Sequence, residues 1–195
     1  VSYTTEELER ILKGRNIKKI TRDGISTPAA VMLILKQEND GYSILFIKRP
    51  ESSEDVFSGH MAFPGGNMKE EDGNKLRTAV RETFEETGID LNEDGRIIGE
   101  LDDFYPVNPR ANHYVVTPFV ALLTEYTGIN PNEEVAEAVW IPLLHLKDEK
   151  ALEIRTVEKN KLNVKDYFFR YKDYVIWGMT GRILYKFLSL AGHLF

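Results

Sequence analysis

Apolar positions along this chain of 195 residues change period several times. Near the start, Leu8, Ile11 and Leu12 recur at helical spacing behind Thr4-x-x-Glu7, the form of a capping box. A short amphipathic helix over about residues 5–13 is therefore predicted, with Gly14 ending it. The run AAVMLIL at 29–35 is continuously apolar and reads as a buried strand. Asn39-Asp40-Gly41 follows as a hairpin turn and YSILFIK at 42–48 as the partner strand, the one clear hairpin signal. A polar loop over 50–58 leads to a short strand at 61–63 and a turn at Pro64-Gly65-Gly66.

Helical spacing returns at about 76–87, with Gly88 placed to end the helix in a left-handed residue. Leu76, Val80, Phe84 and Thr87 form its expected core side. Strands are predicted at 96–101, 115–123 and 135–140, a helical turn from Pro142, strands at 167–171 and 174–176, and a helix over about 179–190. Tyr174 and Trp177 read as core aromatics, because such rings carry large apolar area. Strands and helices in this order favour an α/β or α+β layered fold over an all-helical one. With no internal repeat or linker, one domain over 1–195 is expected.

Composition narrows the partners. A net charge of −6 argues against a protein that grips nucleic acid by its phosphates, since such surfaces are usually basic. The absence of Cys excludes disulfides and thiolate metal sites and fits a reducing compartment. The opening VSYTTEELERILKGR has no apolar targeting core, and no run approaches the roughly 18 apolar residues of a membrane helix. A cytoplasmic protein with neither nucleic-acid nor membrane partner is expected.

The chemistry concentrates in FPGGNMKEEDGNKLRTAVRETFEETGI, residues 63–89. On a helix, Glu82, Glu85 and Glu86 share a sector about 100° wide. Carboxylates this close raise one another's pKa unless positive charge compensates, and a hard divalent cation with oxygen ligands is an economical solution. Taken alone, three solvated charges on a surface helix are the commoner arrangement. The adjacent Gly65-Gly66 turn leaves carbonyls open as further oxygen ligands.

The same stretch resembles the Nudix box, G-x5-E-x7-R-E-U-x-E-E-x-G-U with U a bulky aliphatic residue. Arg81-Glu82-x-x-Glu85-Glu86-x-Gly88-Ile89 matches its second half, with Thr83 at an aliphatic position. In the first half, Asp72 stands where the pattern has Glu, and one residue is inserted before Arg81. The resemblance implies an α/β/α sandwich with a mixed sheet and hydrolysis of a nucleoside diphosphate linked to another group, with Mg²⁺ or Mn²⁺. It also implies metal binding by Glu82, Glu85, Glu86 and the Gly66 carbonyl, and support of the box by Asp72, Arg81 and Gly88. Glu85, Glu86, Glu133 and Glu134 stand as alternatives for the base that deprotonates water. The family allows a homodimer, for which the sequence names no interface.

Three flanking segments resemble the coenzyme A pyrophosphatase branch of that family: ILFIKRPESSEDVFSGHMAFPGG, in which Arg49, Gly59 and Phe63 match; GELDDFYPVNPRANHYVVTPFVALL; and DYVIWGMTGRILYKFL. They imply cleavage of coenzyme A or its thioesters to adenosine 3′,5′-bisphosphate and a phosphopantetheine fragment, with Arg49, Lys48, Arg110 and His113 as candidate substrate contacts. Glu54 or Asp55 stands where the branch usually has an Arg. ADP-ribose, dinucleotides or nucleoside triphosphates are the alternative substrates, and a nucleotide-binding module without turnover is the alternative of another class.

Overall fold

The computed structural model describes residues 2–21, 26–51, 58–106, 113–126, 128–159 and 162–195. In chain order the elements are α1 (Ser2–Lys13), β1 (Thr27–Glu38), β2 (Gly41–Lys48), β3 (Met61–Ala62), β4 (Gly65–Asn67), α2 (Lys75–Thr87), β5 (Gly95–Glu100) and β6 (Tyr114–Leu123). They continue as β7 (Glu137–Pro142), α3 (Leu143–Leu146), β8 (Leu152–Lys159), β9 (Leu162–Tyr171), β10 (Tyr174–Ile176) and α4 (Gly178–Ala191).

The apolar run at 29–35 is the middle of β1, the strand around which a seven-stranded mixed sheet forms in the order β3-β2-β1-β6-β5, with β4 also on β1 and β7 on β2. β1 and β6 are parallel, whereas β2, β4 and β7 join antiparallel. Glu38 pairs with Gly41, so Asn39 and Asp40 make the expected two-residue turn.

Alternation along β1 explains the layers, because successive side chains point to opposite faces. Ala30, Met32 and Ile34 face one way with Leu45, Phe119 and Ala121, and α2 covers them through Ala79. Leu33, Leu35, Ile44 and Phe46 face the other way, against α1 (Leu8, Leu12), α3 (Leu143, Leu146) and α4 (Ile183, Leu184, Phe187). The result is the expected sandwich of helices around a mixed sheet. Among the described residues, no helix is long and apolar enough to cross a membrane.

Several expectations are corrected. Gly65-Gly66 is not simply a turn: residues 65–67 form β4, paired with Val31, Ala30 and Ala29. Glycine permits this approach, since a Cβ on Gly65 would lie 2.2 Å from the Ala30 carbonyl oxygen. Phe84 is not a core residue but 55% exposed; it lies about 140° around the helix from Ala79, the residue that meets the sheet. Glu86 and Thr83 take the buried positions instead. A second sheet, β10-β9-β8, adds two hairpins to the one expected. LEIRTVEK hid β8 because residues on both its faces, Glu153 and Ile154 among them, meet solvent, so no apolar period marks it. Trp177 is 39% exposed rather than in the core, whereas Tyr174 packs partly buried against it.

Candidate active site

Helix α2 begins at Asn74, whose side chain accepts from the Arg77 N–H at 2.9 Å, and ends at Gly88 with φ of 74°. Its acidic sector looks toward β4. Glu86 is 2% exposed and accepts from the Gly65 N–H at 2.8 Å, while Glu85 lies open to solvent. Gly66 is pressed so closely against Glu82 that a Cβ there would stand 2.6 Å from a carboxylate oxygen. The two glycines thus do different work: one donates to Glu86, the other makes room for Glu82.

Arg81 ties the site together. It grips Asp72 in a bidentate pair at 2.7 and 2.9 Å, reaches Glu82 at 2.7 Å and Glu85 at 3.0 Å, and donates to the Asn67 carbonyl at 3.2 Å. Asp72 also accepts from the Lys69 N–H at 2.8 Å and the Thr78 hydroxyl at 2.9 Å. Hydrogen bonds from Arg81 above all hold the Asp72 carboxyl well below the usual range, and the same pair raises Arg81. One inserted residue and a shorter acid are absorbed because Asp72 sits on a 3₁₀ turn (Glu70–Asp72) that delivers its carboxylate to Arg81.

Burial pushes Glu86 up to about 8; the Gly65 hydrogen bond opposes this, the charges of Glu82 and Glu134 add to it, and Arg49 opposes it. Arg49 and Glu134 are therefore near neighbours of the acidic site. Among the described residues, Glu86 accepts a single hydrogen bond, leaving a buried carboxylate short of positive charge. No three acidic or His side chains among the described residues converge into a preformed cage, and Arg81 spans Glu82 and Glu85. The donor set is nonetheless all oxygen: the carboxylates of Glu82, Glu85 and Glu86, with Glu82 packed against Gly66, are the chemistry that fits a hard divalent cation.

The other candidates divide. Lys48 pairs with Met61 and Glu137 across the sheet, and Met61 belongs to the core on the face opposite α2, so Lys48 faces away from the glutamates. His113 packs its ring on Tyr114 at 4.1 Å, with no described contact to the acidic helix. Arg110, Glu54 and Asp55 lie outside the described residues. The LDD and TPF runs meet each other: Thr117 donates to Asp103 at 2.6 Å, and Lys75, the first residue of α2, donates to Thr117 at 2.9 Å. Asp103 in turn accepts from the Ile20 N–H at 3.0 Å, so this buried network fixes the front of the acidic helix to the segment after α1. Periodicity carried no sign of it, because its members are single groups on separate elements: Thr117 on β6, Lys75 on α2, Asp103 in a loop and a backbone N–H at Ile20.

An α/β/α sandwich bearing an acid-rich helix against a glycine-bearing strand is the arrangement that the Nudix resemblance implies. The model for the NUDIX domain matches residues 26–160, more than half of the chain, and the chain belongs to the Nudix family. Nudix hydrolase 22 (chloroplastic) of Arabidopsis thaliana is 32% identical over 169 residues, covering 81% of this chain and 53% of that protein. Nudix hydrolase 15 (mitochondrial) of the same plant is 33% identical over 174 residues, covering 84% and 58%. The chain thus spans little more than half the length of these two relatives. Peroxisomal coenzyme A diphosphatase ndx-8 of Caenorhabditis elegans is 43% identical over 88 residues, 44% of this chain and 36% of that protein. In fold, a MutT/nudix family protein from Enterococcus faecalis aligns with a TM-score of 0.54 at 19% identity, over 88% of this chain and 62% of that one.

Proposed function

We propose that this chain is a divalent-metal-dependent diphosphate hydrolase that cuts coenzyme A or its thioesters to adenosine 3′,5′-bisphosphate and (acyl-)phosphopantetheine. The observation that carries the hydrolase reading is the buried Glu86 carboxylate, which accepts from the Gly65 N–H, with Glu82 and Glu85 on the same helix sector. Bound there, Mg²⁺ or Mn²⁺ supplies charge neutralisation of the diphosphate oxygens and polarisation of phosphorus. Glu82, Glu85, Glu86 and the Gly66 carbonyl would hold it. Arg81, locked to Asp72, sets the rotamers of Glu82 and Glu85. Arg49 supplies positive charge to the diphosphate. A carboxylate takes the proton from the attacking water, with Glu133 and Glu134 the candidates outside the metal-holding set.

Support for coenzyme A comes from the three flanking segments and from the relative named as a coenzyme A diphosphatase. The test is incubation of the pure protein in Mg²⁺ with coenzyme A, dephospho-coenzyme A, ADP-ribose and a nucleoside triphosphate, products identified by mass. Adenosine 3′,5′-bisphosphate should appear fastest, and Glu85→Gln should lower its rate about 100-fold or more with the fold intact. Faster cleavage of ADP-ribose or the triphosphate overturns the coenzyme A assignment; tight binding with no product overturns hydrolysis.

A further inference from the structure

On the face opposite α2, a cavity of about 490 Å³ opens between the ends of β2 and β3 and the β9–β10 hairpin, lined by Lys48, Glu51, His60, Glu137, Tyr174 and Trp177 among others. The geometry points to this cavity as the seat of an aminated nucleobase, the part of a nucleoside diphosphate-linked substrate that the acidic helix leaves unaddressed; the inference rests on the diphosphate reading above.

Three observations carry it. Trp177 is a large aromatic left 39% exposed, yet it is held in place: the His60 ring packs on it at 4.7 Å, and Phe168 runs parallel to it at 5.9 Å with the Arg155 guanidinium over Phe168 in turn. The exposed part of a ring held this way offers a flat heterocycle a rigid apolar contact. The lining is also acidic, with Glu51, Glu137 and Asp173 against the one Lys48. Such a lining repels phosphate but accepts hydrogen bonds from an exocyclic amine, and Glu137 is oriented for this by the Tyr174 hydroxyl that donates to it. Finally, Lys48 and Arg49 are consecutive residues at the end of β2, Lys48 lining the cavity and Arg49 acting on Glu86, while the Arg49 N–H donates to the His60 carbonyl at 3.1 Å. A substrate draped over the end of β2 places its base in the cavity and its diphosphate at the glutamates.

The chain has two Trp, so Trp140→Phe leaves Trp177 as the sole indole emitter. That protein is titrated, without metal, with AMP, with IMP, which has an oxo group in place of the amine, and with inorganic pyrophosphate. AMP should quench Trp177 emission and bind about tenfold tighter than IMP, a preference that Glu137→Ala erases, and pyrophosphate should leave the emission unchanged. In turnover, Trp177→Ala should raise KM for coenzyme A about tenfold, with kcat falling less than KM rises. If Trp177→Ala does not fold, the titration, made with Trp177 in place, decides alone. Equal quenching by AMP and IMP, quenching by pyrophosphate, or no quenching while coenzyme A is still cut each overturns the nucleobase site and leaves the hydrolase reading standing. Quenching by AMP in a protein that cuts no diphosphate does the reverse.

Discussion

Asp72 and Glu86 are both almost completely buried carboxylates flanking one helix face, and their surroundings drive their acidities in opposite directions. Asp72 meets a guanidinium, an N–H and a hydroxyl, whereas Glu86 is desolvated by burial, with one N–H against it and the charges of Glu82 and Glu134 adding to the effect. An acid held below its ordinary value stabilises the fold at pH values above about 4 and loses that contribution as pH falls further. Asp72→Asn should therefore cost about 3 kcal/mol at pH 7, and the gap from the unsubstituted protein should close in denaturant titrations below about pH 4. A gap independent of pH would refute the ion pair as its source. At this scale the sequence was legible for Glu82, Glu85, Glu86, Asp72 and Arg81 as a group, because their spacing is local. It placed Lys48 with Arg49 as equivalent cations, which alternation across the sheet forbids.

At the scale of elements, β4 and α2 make the site by close approach, and the two glycines of β4 should answer substitution differently. Gly66→Ala places a methyl group against the end of the Glu82 side chain, which yields; the fold should survive and turnover should fall about 100-fold through displacement of one carboxylate. At Gly65 the obstruction is the Ala30 carbonyl on β1, which has nowhere to go, and φ is 154°, so Gly65→Ala should lower the thermal midpoint as well as activity. Calorimetry beside a turnover assay separates the two. Of the elements themselves, α2 and the β1–β2 hairpin were legible because helical spacing ending at a glycine marked the one and the Asn39-Asp40-Gly41 turn marked the other. β4, β8 and the exposure of Phe84 were not, since each is set by which neighbour the backbone meets rather than by a period along it.

For the whole molecule, a cation held by the folded site and not by the unfolded chain must stabilise the fold. At Mg²⁺ about 100-fold above its Kd, the gain is about 2.7 kcal/mol, or roughly 5–10 °C for a chain of this size. Glu86→Gln should remove the shift without lowering the midpoint measured in chelator, because the buried site then carries no uncompensated charge. A Mg²⁺-independent midpoint in the unsubstituted protein would sink the metal assignment. The sequence by itself determined the acidic helix, the glycines before it and the central hairpin, since helical and strand periods bring residues a few positions apart onto one face whatever surrounds them. Only the tertiary structure decided which glutamate is buried, that Lys48 faces away from the glutamates, and that Trp177 stands exposed beside His60. Those outcomes depend on strands far apart in the chain lying side by side, and burial and electrostatic neighbours are properties of that packing rather than of any local spacing.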